Sequence, residues 1–267
     1  MDGSDLGKAG VLVKRSSIPK GDILGVSVHA LTMESILSVF KEWIRERKPQ
    51  YVCCVPAHSV MECVDHTELR TVFNNSGLST PDGMAIVWLL RAQGFSHVER
   101  VYGPDLLWAA CQAGLALGWR HYFYGASPET CEKLALRLKT NFPDLVIAGM
   151  ESPPFRELSV DEKGGLIERI RQSSPDILWV ALGSPKQEKW MSEWVDTLGV
   201  SVMVGVGAAF DFLAGCKPQA PRWVQKMGLE WFFRLISEPR RLWKRYLLNY
   251  PRFILLTLLD ALRVKKR

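Results

Sequence analysis

No stretch of this 267-residue chain offers the roughly 18 consecutive apolar residues that a bilayer-spanning helix needs. The opening residues, Met1 to Lys20, lack the apolar centre of a secretory signal; they are polar, contain Gly and Ser, and carry both signs of charge. A flexible leader at 1–20 on a cytoplasmic chain is the expectation. No Cys-x-x-Cys pair occurs and no second Cys/His pair stands at zinc spacing, which argues against a structural zinc module. The six cysteines, at 53, 54, 63, 111, 131 and 216, are expected to be buried reduced thiols. A Walker loop, a nucleophile elbow and a His/Asp triad are all missing, which argues against P-loop and serine-hydrolase chemistry. Among the scattered histidines, only His58, at a strand end, is a candidate site residue. The run Gly205-Val206-Gly207-Ala208-Ala209-Phe210 has Phe where the dinucleotide fingerprint requires its third Gly, so a nicotinamide dehydrogenase is disfavoured. There is no Asp-x-Asp pair, a common device for holding a diphosphate through a divalent metal. No metal site and no cofactor are therefore expected. A diphosphate ligand would have to meet arginines and helix N-termini instead, with Arg100 and the basic tail available for that.

What is present suits one large α/β domain: 47% of residues are hydrophobic and 23% charged, enough to bury a sizeable core. Short β-rich runs alternate with amphipathic helical stretches. Strands are expected at Ile23–Val28, Tyr51–Val55, Leu78–Thr80, Tyr122–Tyr124, Leu145–Ala148, Ile177–Ala181 and Val202–Val204. Helices are expected over Thr32–Ile44, from Met84, from Pro104, up to Thr140 and through Trp194, with a Pro-rich loop at Pro153 and Pro154. Strands alternating with helices predict a Rossmann-like, mostly parallel sheet with helices on both faces. The domain boundaries expected are an α/β catalytic unit at 21–225 and a helical appendage at 226–267.

The charge is unevenly placed. From Arg222 to the end there are twelve Lys and Arg against three acidic residues, a net of +9, while the whole chain carries +6. The tail is also dense in Trp, Phe and Leu, and Pro239 and Pro251 are expected to break it into about three helical pieces. Arg241, Arg245 and Arg252 recur at helical spacing, and so do Trp243, Leu247, Tyr250 and Ile254. A basic face opposite an aromatic-aliphatic one fits a helix lying on an anionic membrane surface; the alternative is a core helix with a solvated basic face. The Trp and Leu density suits lipid better than nucleic acid. Such a tail also allows a homo-oligomer.

Candidate chemistry sits where strands end. Gly125, Gly183, Gly205 and Gly207 occupy β-to-α turns, where glycine lets a ligand approach backbone or merely permits a tight turn. Asp82 in Pro81-Asp82-Gly83 is either a turn and helix-cap residue or a general base ionised at neutral pH. Gly183-Ser184-Pro185-Lys186-Gln187-Glu188 opens a helix with a cation, an amide and an acid. Lys186 and Gln187 suit a phosphate and a base or sugar hydroxyl, and Glu188 could serve the helix dipole alone.

Several segments, in order along the chain, resemble the WecG/TagA/CpsF family of glycosyltransferases. They are Pro81-Asp82-Gly83-Met84, Arg100-Val101-Tyr102-Gly103-Pro104-Asp105, the Gly183–Glu188 run, Gly205 to Gly215 with Asp211, Ala220-Pro221-Arg222-Trp223 and Gly228 to Arg234. The resemblance covers about Gly25 to Tyr246. It implies an inverting, metal-independent hexosyltransferase with a Rossmann-like body. The donor would be a UDP-sugar carrying N-acetylmannosamine, its uronic acid or a hexose. The acceptor would be a lipid-linked sugar diphosphate on undecaprenol, in teichoic acid, enterobacterial common antigen or capsule synthesis. It also implies that a C-terminal appendage attaches the enzyme to the inner face of the membrane and brings arginines over the site. By motif, Asp82 matches the family's proposed base, Arg100 and Gln187 match pocket residues, and Arg234 and Arg241 match appendage arginines, with Lys244 or Arg245 at a third basic position. One departure stands out. The family's Thr-x-Asn-x-Glu strand end is here Val55-Pro56-Ala57-His58-Ser59, with His58 taking the place of the amide, so the donor sugar is left open. A non-catalytic subunit that binds a nucleotide sugar or lipid diphosphate is the rival reading, against which Asp82 and the Lys-Gln-Glu run argue.

Overall fold

A computed structural model describes residues 18–264. The leader expected at 1–20 thus lies, for residues 1–17, outside the described residues. The chain begins with a hairpin rather than the single strand expected over Ile23–Val28. β1 (Lys20–Ile23) and β2 (Val26–His29) pair antiparallel. Gly25 turns between them at φ 87°, a left-handed conformation that interrupts a continuous strand.

Six further strands form one parallel sheet: β3 (Gln50–Val55), β4 (Leu78–Pro81), β5 (Arg120–Gly125), β6 (Val146–Glu151), β7 (Ile177–Ala181) and β8 (Val202–Gly205), in the order β4-β3-β8-β7-β5-β6. The central strands β3, β8 and β7 are buried on both sides because both faces are covered, while the edge strand β6 is only half-buried. Val52, Phe123, Trp179 and Val204 point into one core, under α1 (Met33–Glu46), α5 (Gly103–Leu115), α6 (Pro128–Asn141) and α9 (Ala209–Leu213). Their chain neighbours Cys53, Tyr122, Val180 and Met203 point into the other. That core is closed by α2 (Ala57–Asp65), α3 (Thr67–Asn74), α4 (Met84–Ala92), α7 (Val160–Ser173) and α8 (Lys186–Leu198). Capping side chains fix the starts of α1, α6 and α7. Thr32 and Ser35 form a reciprocal capping box on α1, and Ser127 caps α6 ahead of Pro128. Of the cysteines, five are buried; Cys216 is exposed, contrary to expectation, because it follows the turn that ends α9.

Among the described residues the tail is a series of helices: α10 (Arg222–Lys226), α11 (Glu230–Ser237), α12 (Pro239–Trp243), a π-helical turn at Lys244–Leu248, and α13 (Asn249–Val264). Pro239 opens α12 as expected. Pro251 does not break the chain into a further piece. It falls in the first turn of α13, directly after the wider turn, where its missing N–H removes little. The change of pitch also turns Tyr250 inward, beside Trp231 and Tyr246, and away from the outer face on which the 3.6-residue period places it. Trp243, Leu247, Ile254, Leu255 and Leu258 are exposed, while Phe253 is buried against the body. Arg252 reaches Asp65 on α2 with both guanidinium nitrogens, at 2.8 and 2.9 Å.

Candidate active site

The carboxyl ends of β4, β3, β8 and β7 meet α11, α12 and the π-turn across an open cleft of two lobes, about 670 and 630 Å³. Pro56, His58, Asp82 and Arg234 belong to both lobes and mark their junction. Ligands of parallel sheets collect at such an edge, where strand ends feed helix N-termini.

Asp82 follows β4 and is half-buried. Its Oδ1 accepts the N–H of Gly103 at 3.1 Å, at the start of α5, and its backbone carbonyl accepts Arg100 Nε. Burial raises the Asp82 carboxyl from 3.8 to about 6, against the pull of Arg100 and with a further push from Glu230. A carboxylate with that affinity for protons is mostly ionised at pH 7 and still a competent base.

The first lobe is polar. Gly183 and Ser184 line it from the β7 turn, and Gly205, Gly207 and Ala208 from the β8 turn. Gln187 is buried and fully oriented: its Oε1 accepts the Gly207 N–H at 3.0 Å and its Nε2 donates to Glu188 Oε1 at 2.9 Å. A Cβ on Gly205 would lie 2.8 Å from the Met191 methyl and 3.0 Å from Gln187 Nε2, so only glycine leaves the amide in place. Glu188 is completely buried; burial holds its carboxyl up to about 7, and its Oε2 has no hydrogen bond. Arg234, Arg241 and Arg245 close the lobe from the tail. Arg241 pairs with Glu238 at 2.8 Å, while Nε of Arg234 is buried without a partner.

The second lobe is aromatic. Tyr102, Trp231, Tyr246 and Tyr250 line it, with the Trp231 and Tyr250 rings 4.9 Å apart. Arg100 ties this wall to the body. It pairs with Glu230, donates to Gln225 Oε1 at 3.1 Å, and lies 4.0 Å from the Tyr102 ring centre. Tyr102 donates to the other Glu230 oxygen at 3.0 Å.

The cleft thus gathers Asp82, His58, Arg100, Gly183, Gln187, Gly205, Gly207, Arg234, Arg241 and Arg245. Four expected contacts stand elsewhere. Lys186 is exposed and lines a separate cavity with Trp190 and Pro154, because consecutive helix residues point about 100° apart and Gln187 takes the inward direction. Gly125 packs on β7, where a Cβ would meet Ala181 O at 2.5 Å; its glycine serves the sheet. Asp211 is taken up by Lys217 at 2.8 Å and Thr130 at 3.2 Å. Lys244 lies on the outer side over the Trp243 ring, which leaves Arg245 as the third tail cation at the cleft. Counted letter by letter, Thr-x-Asn-x-Glu puts its amide at Ala57; His58 is the next residue in the first turn of α2, and both line the aromatic lobe. Sequence reasoning missed Glu230 and its bonds from Arg100 and Tyr102. An acid inside so basic a tail was the available signal.

Residues 21–267 match the glycosyl transferase WecG/TagA/CpsF family. The chain is 27% identical over 218 residues to the N-acetylglucosaminyldiphosphoundecaprenol N-acetyl-beta-D-mannosaminyltransferase of Bacillus subtilis strain 168, covering 82% of each chain. It is 26% identical over 212 residues to the protein of the same name from Bacillus spizizenii, covering 79% of this chain and 80% of the relative. With a family match across nearly its whole length and a carboxylate set among arginines at the sheet edge, this chain belongs to the WecG/TagA/CpsF family of glycosyl transferases.

Proposed function

We propose that this enzyme transfers a sugar from a UDP-sugar to a sugar diphosphate carried on undecaprenol, with inversion and without a metal, in the synthesis of a cell-surface polymer. The names of the Bacillus relatives supply the acceptor class. The observation that carries the reading is Asp82: a half-buried carboxylate oriented by the Gly103 N–H at the junction of a cationic and an aromatic lobe. In the reaction, Asp82 takes the proton of the acceptor hydroxyl as that oxygen attacks the anomeric carbon. The bond from that carbon to the diphosphate breaks, and UDP leaves with the electron pair. Arg234, Arg241 and Arg245 stand where the growing negative charge of the leaving group can be met. Gln187 holds the donor, and Arg100 fixes the wall between Asp82 and Glu230. N-acetylmannosamine, its uronic acid and a hexose are the donor sugars to test.

The exposed Trp243, Leu247, Leu255 and Leu258, flanked by lysines and arginines, support attachment to an anionic membrane surface, where a polyprenyl acceptor resides. Among the described residues no helix is long and apolar enough to cross a membrane. The test is incubation with a panel of UDP-sugars and a short-chain lipid diphosphate-sugar acceptor, with products read by mass. A product one sugar heavier is expected, absent with Asp82→Asn. Wild-type turnover by that variant would remove Asp82 from the mechanism.

A further inference from the structure

Besides Arg234 Nε, a second side chain at the junction of the lobes is without a hydrogen bond. His58 is only 8% exposed and belongs to the walls of both lobes, yet its ring makes no hydrogen bond to any described residue. The other buried imidazoles are used differently. His29 accepts the Ser79 N–H through Nδ1 at 2.9 Å, and His121, deep in the core and away from the cleft, accepts Trp179 Nε1 through Nδ1 at 3.1 Å while its Nε2 is buried without a partner. Neither ring nitrogen of His58 is among the buried side-chain atoms left unpaired, so both open onto the cleft, where an incoming group can pair with them.

The chemistry of that partner follows from the surroundings. Burial, with Arg245 and Arg234 nearby, holds the ring well below the ordinary histidine range, so it is neutral and offers one N–H and one bare nitrogen. An anionic group entering the cleft is better served by the arginines. A cation would be repelled by them. An apolar group would leave the ring unpaired and dry. A hydroxyl, which both gives and accepts a hydrogen bond, fits.

We propose that His58 is a specificity-determining residue whose neutral imidazole reads one hydroxyl of a pyranose ring held where the two lobes meet. The inference rests on the glycosyl-transfer reading above. Donor and acceptor sugars both carry hydroxyls, so the experiment has two arms. kcat/KM is measured for wild type, His58→Ala and His58→Asn with the preferred UDP-sugar and acceptor. Each monodeoxy analogue of the donor sugar is then tested, and each monodeoxy analogue of the acceptor sugar. In wild type one analogue is expected to lose about 100-fold or more, as in sites built to bond a substrate hydroxyl. In His58→Ala that penalty should shrink to about threefold or less, because the reading group is gone. His58→Asn should keep part of it, since an amide also donates and accepts. The arm in which the effect falls identifies the sugar. Equal penalties for every analogue in wild type and both variants, each shown by thermal melting to be folded, would overturn the inference and leave glycosyl transfer standing. If His58→Ala does not fold, His58→Asn and His58→Gln carry the same comparison. A wild-type enzyme that transfers no sugar from any UDP-sugar overturns the functional reading, and this inference with it.

Discussion

Replacing Asp82 by Asn should make the protein nearly inert and more stable at once. In the folded state burial lifts the Asp82 carboxyl from 3.8 to about 6. A rise of about two units corresponds to about 3 kcal/mol against the ionised form. Solvent reaches the half-buried side chain, so we expect about 1–2 kcal/mol of that to be measured. The dependence on pH has a definite sign. Below about pH 4 both folded and unfolded chains hold the proton, and the carboxyl costs nothing. Between 3.8 and 6 the unfolded chain ionises first, so the native state loses stability as pH rises; above 6 the loss is complete. Asn carries no charge and still presents an oxygen to the Gly103 N–H. The variant should therefore melt about 3–6 °C above wild type at pH 8, with the difference fading by pH 4. Thermal and urea unfolding at pH 4, 6 and 8 measure it. A variant less stable than wild type at pH 8, or equally stabilised at pH 4 and 8, would refute the assignment of a strained carboxylate to this position. The same variant should lose about 10²–10⁴ in turnover while keeping donor binding.

Other expectations follow from the walls of the cleft. The acidic limb of kcat/KM should lie near pH 6, and Glu230→Gln should move it lower, since Glu230 pushes the Asp82 carboxyl up and neutralises Arg100; an unmoved limb would dismiss that coupling. Arg245→Ala should raise the donor KM about tenfold or more, whereas Lys244→Ala, on the outer side, should stay within about twofold; steady-state kinetics separate the two. Gly205→Ala should cost about 1–3 kcal/mol in unfolding free energy and weaken donor binding by displacing Gln187. Changing Leu255 and Leu258 to Ser should reduce flotation with anionic vesicles without altering the melting temperature by more than about 2 °C, because both side chains are exposed.

The fold was legible where periodicity is strong. The parallel sheet follows from alternating strands and helices, and Ile177–Ala181 agrees residue for residue with its strand. Helix α7 was passed over, although Ser159 and Glu162 form a capping box at its start. Two adjacent glycines, Gly164 and Gly165, dilute its pattern. The candidate site was legible as a set of turns but not as directions. Gln187 and Lys186 are neighbours in sequence and face different cavities. Asp211 and Arg100 carry the right charge for ligands, yet their nearest partners are Lys217 and Glu230. Arg100 and Glu230 lie 130 residues apart, so no local pattern encodes their pairing; Lys217 is only six residues from Asp211, but the turn after α9 brings them together. Glu188 shows the reverse: a residue suited to a helix dipole is completely buried beneath the polar lobe.

The wide turn at Lys244–Leu248 sets the angular phase of everything after it. Such a turn behaves as one extra residue inserted into an α-helix. Deleting a single residue from the regular helix before it, with the wide turn kept, would rotate α13 by about 100° about its axis. Phe253 would swing off the body, Arg252 would lose Asp65, and exposed leucines would turn toward the body. Length in this segment is therefore constrained more tightly than composition: leucine for isoleucine can be absorbed, but a one-codon loss cannot.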